Sequence, residues 1–120
     1  MTFKGSDFLA VAHHLAQHSS DEGSERSSIS GAYYAAFHGA REYCRATGVE
    51  VPTSNTHFEV RRCLEGNNQH DIAADLRILH TWRNYADYDV PFPLSDLPST
   101  TAGALTRAET ILDRLDPLIS

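Results

Sequence analysis

The sequence predicts an all-α fold, an up-and-down bundle of four to five helices, and three observations carry that expectation. Apolar residues recur at three- and four-residue spacing in five separate segments, no stretch alternates convincingly with the period of a strand, and no internal repeat is present. The whole chain, 1–120, reads as one domain, long enough for a single core without staples.

Ser6 stands where an N-cap would open a first helix from Asp7 to His18, with Phe8, Leu9, Ala12, Leu15 and Ala16 as its apolar face. Its polar side carries His13, His14 and His18. The spacing of His14 and His18 suits a metal, yet no carboxylate or cysteine completes a ligand set, and no metal or other cofactor is expected. Ser19 to Ser24 is a polar turn. A second helix follows from about Glu25 to Thr47 on the stripe Ile29, Tyr33, Ala36, Ala40, Tyr43 and Cys44, with Gly48 as its C-terminal cap. Two glycines inside it, Gly31 and Gly39, cost about 1 kcal/mol each relative to alanine, which the close approach of a neighbouring helix would offset, either inside the bundle or across a subunit interface. On that ground Gly31, Ala35 and Gly39, with the fourth helix, are expected near a dimer seam. Ser30, Tyr34, Phe37 and Arg41 form a polar-aromatic flank, either a rim of the core or a dimer contact.

Thr56 to Glu59 has the spacing of a capping box and opens a short third helix through Leu64, halted by Gly66. His57, in its first turn, reads as a buried histidine holding neighbouring groups. The fourth helix runs from about Asp71 to Tyr88. Asp89 to Pro98 contains three prolines and cannot continue it. This loop is long for a bundle connection, so it packs over something or carries function. Ser99 or Thr100 opens the last helix, whose face is Leu105, Ala108, Ile111, Leu112, Leu115 and Leu118.

A hydrophobic content of 41% with 22% charged residues is ordinary globular composition. No apolar run approaches the roughly 18 residues of a bilayer span, and no signal-peptide pattern follows Met1, so a cytoplasmic chain with no membrane partner is expected. Cys44 and Cys63 read as buried free thiols. The net charge of −6 argues against broad adhesion to nucleic acid, though not against a local basic cleft. Arginine dominates the cations and pairs up along the chain: Arg41 with Arg45, Arg61 with Arg62, Arg77 with Arg83. It is also the better fork for phosphate or carboxylate.

One charge is out of pattern. Ile72, Leu76 and Leu79 form the stripe of the fourth helix, and continuing it lands on Arg83 and Ala86. A guanidinium in that band costs several kcal/mol unless it is paired. Asp87, one turn on, is the expected partner, and His80 lies one turn back on the same side.

Together, the segment from Glu25 to Arg41 (ERSSISGAYYAAFHGAR), then His57, then Arg83 to Asp89 (RNYADYD) resembles the HEPN domain (higher eukaryotes and prokaryotes nucleotide-binding). The likeness is to its small stand-alone prokaryotic branch and covers about Asp7 to Leu118. It implies a four- to five-helix bundle, a homodimer, and frequent encoding beside a minimal nucleotidyltransferase or within defence and toxin-antitoxin loci. Nuclease members carry arginine, then four to six residues, then histidine, and two such motifs meet at the dimer cleft. There the arginine stabilises the scissile phosphate and the histidine moves a proton during attack by the ribose 2′-hydroxyl. Arg83 matches the arginine and Asn84 follows it as in many members, but the histidine positions hold Tyr88, Asp89 and Val90. A carboxyl with a pKa of about 3.9 is a poor general acid at neutral pH, and a phenol of about 10 is a poor base.

The resemblance and the residues together imply a nucleotide- or RNA-associated dimeric module without the standard nuclease histidine. Its ligand-binding candidates are Arg83, Asn84, Asp87, Tyr88, His57, His80 and Tyr34. Whether the chain is an enzyme stays open. One alternative is a metal-independent endoribonuclease in which Arg83 is catalytic and His57 or His80 supplies the histidine. Another is a structural dimerising module in which an Arg83–Asp87 pair, tied to His57 or Tyr34, fixes the register of the bundle.

Overall fold

The computed structural model describes residues 5–18, 21–52, 54, 56–89 and 91–119, which form five helices and, among the described residues, no strand. These are α1 (Gly5–His18), α2 (Glu22–Ala46), α3 (Thr56–Gly66), α4 (His70–Tyr88) and α5 (Leu97–Ile119). The side chain of His18, residues 19 and 20 of the expected polar turn, and Val90 lie outside the described residues. No helix is long and apolar enough to cross a membrane.

Helix α2 is the axis of the bundle and touches all four other helices. Its stripe of Ile29, Ala32, Tyr33, Ala36, Ala40 and Cys44 is fully buried against Leu76 and Leu79 of α4, Ile111 and Leu115 of α5, and Val60 and Leu64 of α3. The small residues of α2 are used inside this chain, where neighbouring helices approach them closely. A Cβ on Gly31 would stand 3.2 Å from Ala12 Cβ of α1, one on Gly39 would overlap Leu112 Cδ2 of α5, and Ala35 is fully buried. Helices α1 and α5 therefore occupy the surface of close approach at Gly31 and Gly39.

The helix ends shift where several polar residues compete to cap. Asp21 takes α2's N-cap, accepting from Ser24 N–H at 2.7 Å, so the helix starts three residues before Glu25. Helix α1 is already helical at Gly5, so Ser6 lies within its first turn rather than capping it. Thr56 is likewise inside α3 and its hydroxyl donates to Pro52 O at 3.0 Å, so the capping box is not formed. Asp96 holds the start of α5 through Ser99 N–H (3.1 Å) and the Ser99 hydroxyl (2.9 Å), which lets Pro98 sit in a first turn that needs no N–H from it. Gly48 does end α2, at φ +89°, whereas the reversal after α3 falls to Asn68, at φ +63°, rather than to Gly66.

The proline-rich loop is tied back by a residue of α2. Arg26 Nη1 donates to Tyr85 O (3.1 Å), Ala86 O (3.0 Å) and Asp89 O (2.8 Å), carbonyls at the C-terminal end of α4, of which Tyr85 O also accepts from Asp89 N–H. Glu22 holds the other edge of the guanidinium at 3.0 Å, and Phe92 of the loop packs 5.4 Å beneath it. A cation at a helix C-terminus also complements the helix dipole, so Arg26 fixes where α4 ends and which way its last turn faces.

Candidate functional site

Arg83 sits where the buried stripe of α4 runs out to the surface. Ile72, Leu76, Leu79 and Ala86 are buried, but the Arg83 side chain is 16% exposed, and its head turns toward the α2 edge. Nε lies 2.9 Å from Asp87 Oδ2, an ion pair at contact distance without an aligned N–H···O bond. Nη2 donates to the Tyr34 hydroxyl at 2.6 Å and Nη1 to Asn84 Oδ1 at 3.1 Å. The guanidinium carbon stands 5.3 Å from the Tyr34 ring centre and 5.3 Å from that of Tyr88. Asp87 is itself held, because Ser30 Oγ shares its proton between the two carboxylate oxygens at 2.9 and 3.0 Å. Burial works against charge on Arg83, yet the Tyr34 hydroxyl and the Asp87 carboxylate outweigh it and hold the group above its ordinary pKa.

A guanidinium carries five N–H groups, and these contacts leave one on each terminal nitrogen. An N–H group on a guanidinium nitrogen makes a charge-assisted hydrogen bond to a phosphate or carboxylate oxygen. Tyr34 is 38% and Tyr88 68% exposed, so two aromatic rings stand beside that guanidinium in contact with solvent.

A second cluster lies behind the first. His57 from α3 and His80 from α4 stack with ring centres 4.5 Å apart, and Tyr33 stacks on His80 at 5.0 Å. The Tyr33 hydroxyl is hydrogen-bonded to His57 Nδ1. Arg61 Nη1 lies 3.3 Å from His80 Nδ1, and since arginine only donates, Nδ1 accepts and neutral His80 carries its proton on Nε2. Desolvation, with the charges of His57, Arg61 and Arg83, pushes His80 down to about 4. Desolvation, with Arg83 and Arg61, lowers His57 as well. Burial pushes the Tyr33 phenol up, so it stays protonated. Both imidazoles are therefore neutral at physiological pH.

All seven candidate residues fall in this region, divided into two groups. Arg83, Asn84, Asp87, Tyr88 and Tyr34 make the outer cluster, while His57 and His80 make the inner one, joined to it through the edge contact of Tyr33 with Tyr34 at 5.6 Å. The expected tie of the ion pair falls to Tyr34, and His57 bonds to Tyr33 instead. Three contributors escaped the sequence reading: Tyr33, assigned to the core; Arg61, grouped only with its basic neighbours; and Ser30, left on the flank. Tyr33 carried a usable signal, because a phenol in a core stripe needs a polar partner. Among the described residues no three His, Cys, Asp or Glu side chains converge as a metal site would require. Compared with known proteins, the chain matches no family model, no curated protein and no solved structure.

Proposed function

We propose that the chain is a HEPN-like, nucleotide- or RNA-associated module that acts as a homodimer, with Arg83 as its phosphate contact. The observation that carries this reading is a guanidinium with two of its five N–H groups uncommitted, fixed by Asp87, Asn84 and Tyr34 and flanked by two solvent-facing rings. A charge-assisted anion contact beside aromatic platforms suits a phosphate with a base attached. The resemblance of the Glu25–Arg41 and Arg83–Asp89 segments adds the dimer and, as partner, a minimal nucleotidyltransferase or another component of a toxin-antitoxin or defence system. Titrating a labelled oligouridylate into the protein tests the site. Arg83→Ala is expected to weaken binding at least tenfold while the protein stays folded, and equal binding by wild type and variant refutes the assignment. A solution mass of one 13.3 kDa chain at micromolar concentration refutes the dimer.

One observation favours a second reading, RNA cleavage without metal. The histidine missing after Arg83 in the chain has two spatial substitutes, His57 and His80, which stack on each other and feel the Arg83 charge. Neutral imidazoles accept protons, although one held near 4 is a weak base and cleavage would be slow. Degradation of RNA in the presence of a chelator, abolished by both Arg83→Ala and His80→Gln, is the result this reading requires.

A further inference from the structure

An open groove of about 820 Å³ lies between α3 and the first half of α4, apart from the Arg83 cluster. Its walls carry Arg61, Arg62 and Arg77 against a single carboxylate, Glu65, in a chain whose net charge is −6. Neither Arg62 nor Arg77 has an ion-pair partner among the described residues, and both are exposed. Cations left unpaired in a groove of an acidic protein make a local basic patch that attracts anions. At the rim stands Phe58, 56% exposed, a large ring that the bundle does not bury.

Arg61 belongs to both places: it lines the groove and its guanidinium touches His80 of the inner cluster. Along α4 the groove spans His70 to Ile78 and the outer cluster begins at Arg83, so Arg77 and Arg83 are about 9 Å apart along the helix axis. We propose that the groove is a second segment of the binding surface and takes single-stranded RNA running from the Arg83 guanidinium past Arg61 to Arg62 and Arg77, with a base stacked on Phe58. This track rests on the reading of Arg83 as a phosphate contact. A strand supplies what the surface calls for, since it brings evenly spaced phosphates to a row of arginines and exposes a base face to a free ring. A single nucleotide would satisfy Arg83 and leave Arg62, Arg77 and Phe58 unused.

The test compares a labelled oligouridylate of about 12 nucleotides with uridine 5′-monophosphate, using substitutions at exposed positions whose folding is checked by thermal melting. The double variant Arg62→Glu/Arg77→Glu is expected to bind the oligonucleotide at least tenfold more weakly and the monophosphate unchanged. It should also lower the slope of log affinity against log salt by about 1.4, for two contacts at roughly 0.7 each on a single strand. Phe58→Ala should cost the oligonucleotide roughly another tenfold. If the double variant binds the oligonucleotide as wild type does while Arg83→Ala does not, the groove is refuted and the Arg83 site stands. If the double variant loses the oligonucleotide while Arg83→Ala keeps both ligands, the Arg83 reading falls, and with it the continuous track.

Discussion

Replacing Arg83 with alanine separates a binding site from a structural strut, because the two make different demands on stability. The ion pair with Asp87 is neither at the surface nor in the core: the two side chains are 16% and 28% exposed. Exposed pairs contribute about 0.2–1 kcal/mol, and breaking a buried one costs about 3–5 kcal/mol. Asp87 keeps both contacts to Ser30 and so is not stranded as an unpaired buried charge. Adding the lost bond to Tyr34, the expected cost is about 1–2 kcal/mol, a small part of the roughly 5–15 kcal/mol that holds a domain of this size. The variant should remain folded, with a melting midpoint lower by about 4–10 °C. Urea unfolding reads the loss, and an unchanged slope shows that the native state is otherwise intact. Arg83→Lys sharpens the test, since it keeps the charge but loses the fork: stability near wild type with oligonucleotide binding weakened roughly tenfold is expected. A cost of about 4 kcal/mol or more for Arg83→Ala, with ligand affinity per folded molecule unchanged, would refute the reasoning and make the guanidinium a strut of the bundle.

Arg26→Ala removes three carbonyl contacts at the end of α4 from a side chain only 14% exposed, and should cost about 2–4 kcal/mol by urea unfolding, with faster proteolysis of the 89–96 loop as its local signature. Acid should also destabilise the fold. His80 is lowered from 6.5 to about 4 and His57 is lowered too, so as pH falls the unfolded chain binds protons first. Stability is full above about 6.5 and is lost progressively down to about 4, by about 1–2 kcal/mol after solvent screening, and His80→Gln should flatten most of that slope. Gly39→Ala pushes a methyl into Leu112 within a packed core, at an expected net cost of about 1–2 kcal/mol despite the better helix propensity. In a double-mutant cycle its cost should shrink when Leu112 is also alanine, and strict additivity would place the clash elsewhere.

How much was legible in the sequence follows from how local each feature is. The five helices were, because a buried face repeats every three or four residues whatever it packs against. Their ends were less so: around Asp21, Thr56 and Asp96 several residues able to cap stand within one turn, and backbone geometry decides among them. The Arg83–Asp87 pair was legible for the same local reason, being one helical turn apart. The histidine stack was not, since it needs α2, α3 and α4 in register and joins residues 23 or more apart in sequence. Gly31 and Gly39 announced that a helix comes close without saying which one. Their partners proved to be Ala12 and Leu112 of the same chain.

Consecutive tyrosines explain why the region has two clusters rather than one. Neighbouring residues on a helix point about 100° apart, so Tyr33 faces inward to His57 and His80 while Tyr34 reaches the surface to hold Arg83. Tyr33→Phe cuts into the inner cluster alone: the ring still stacks on His80, but His57 Nδ1 loses its partner. His57 is only partly buried, so water can reach the freed nitrogen, and the expected cost is about 1 kcal/mol. Oligonucleotide affinity should not change, because Arg83, Asp87 and Tyr34 keep every contact they make with one another. If affinity falls tenfold or more in this variant while the stability cost stays small, the histidines belong to the ligand site itself. The division into an outer binding cluster and an inner supporting one would then be wrong, and RNA cleavage through the stacked imidazoles would become the better account of this surface.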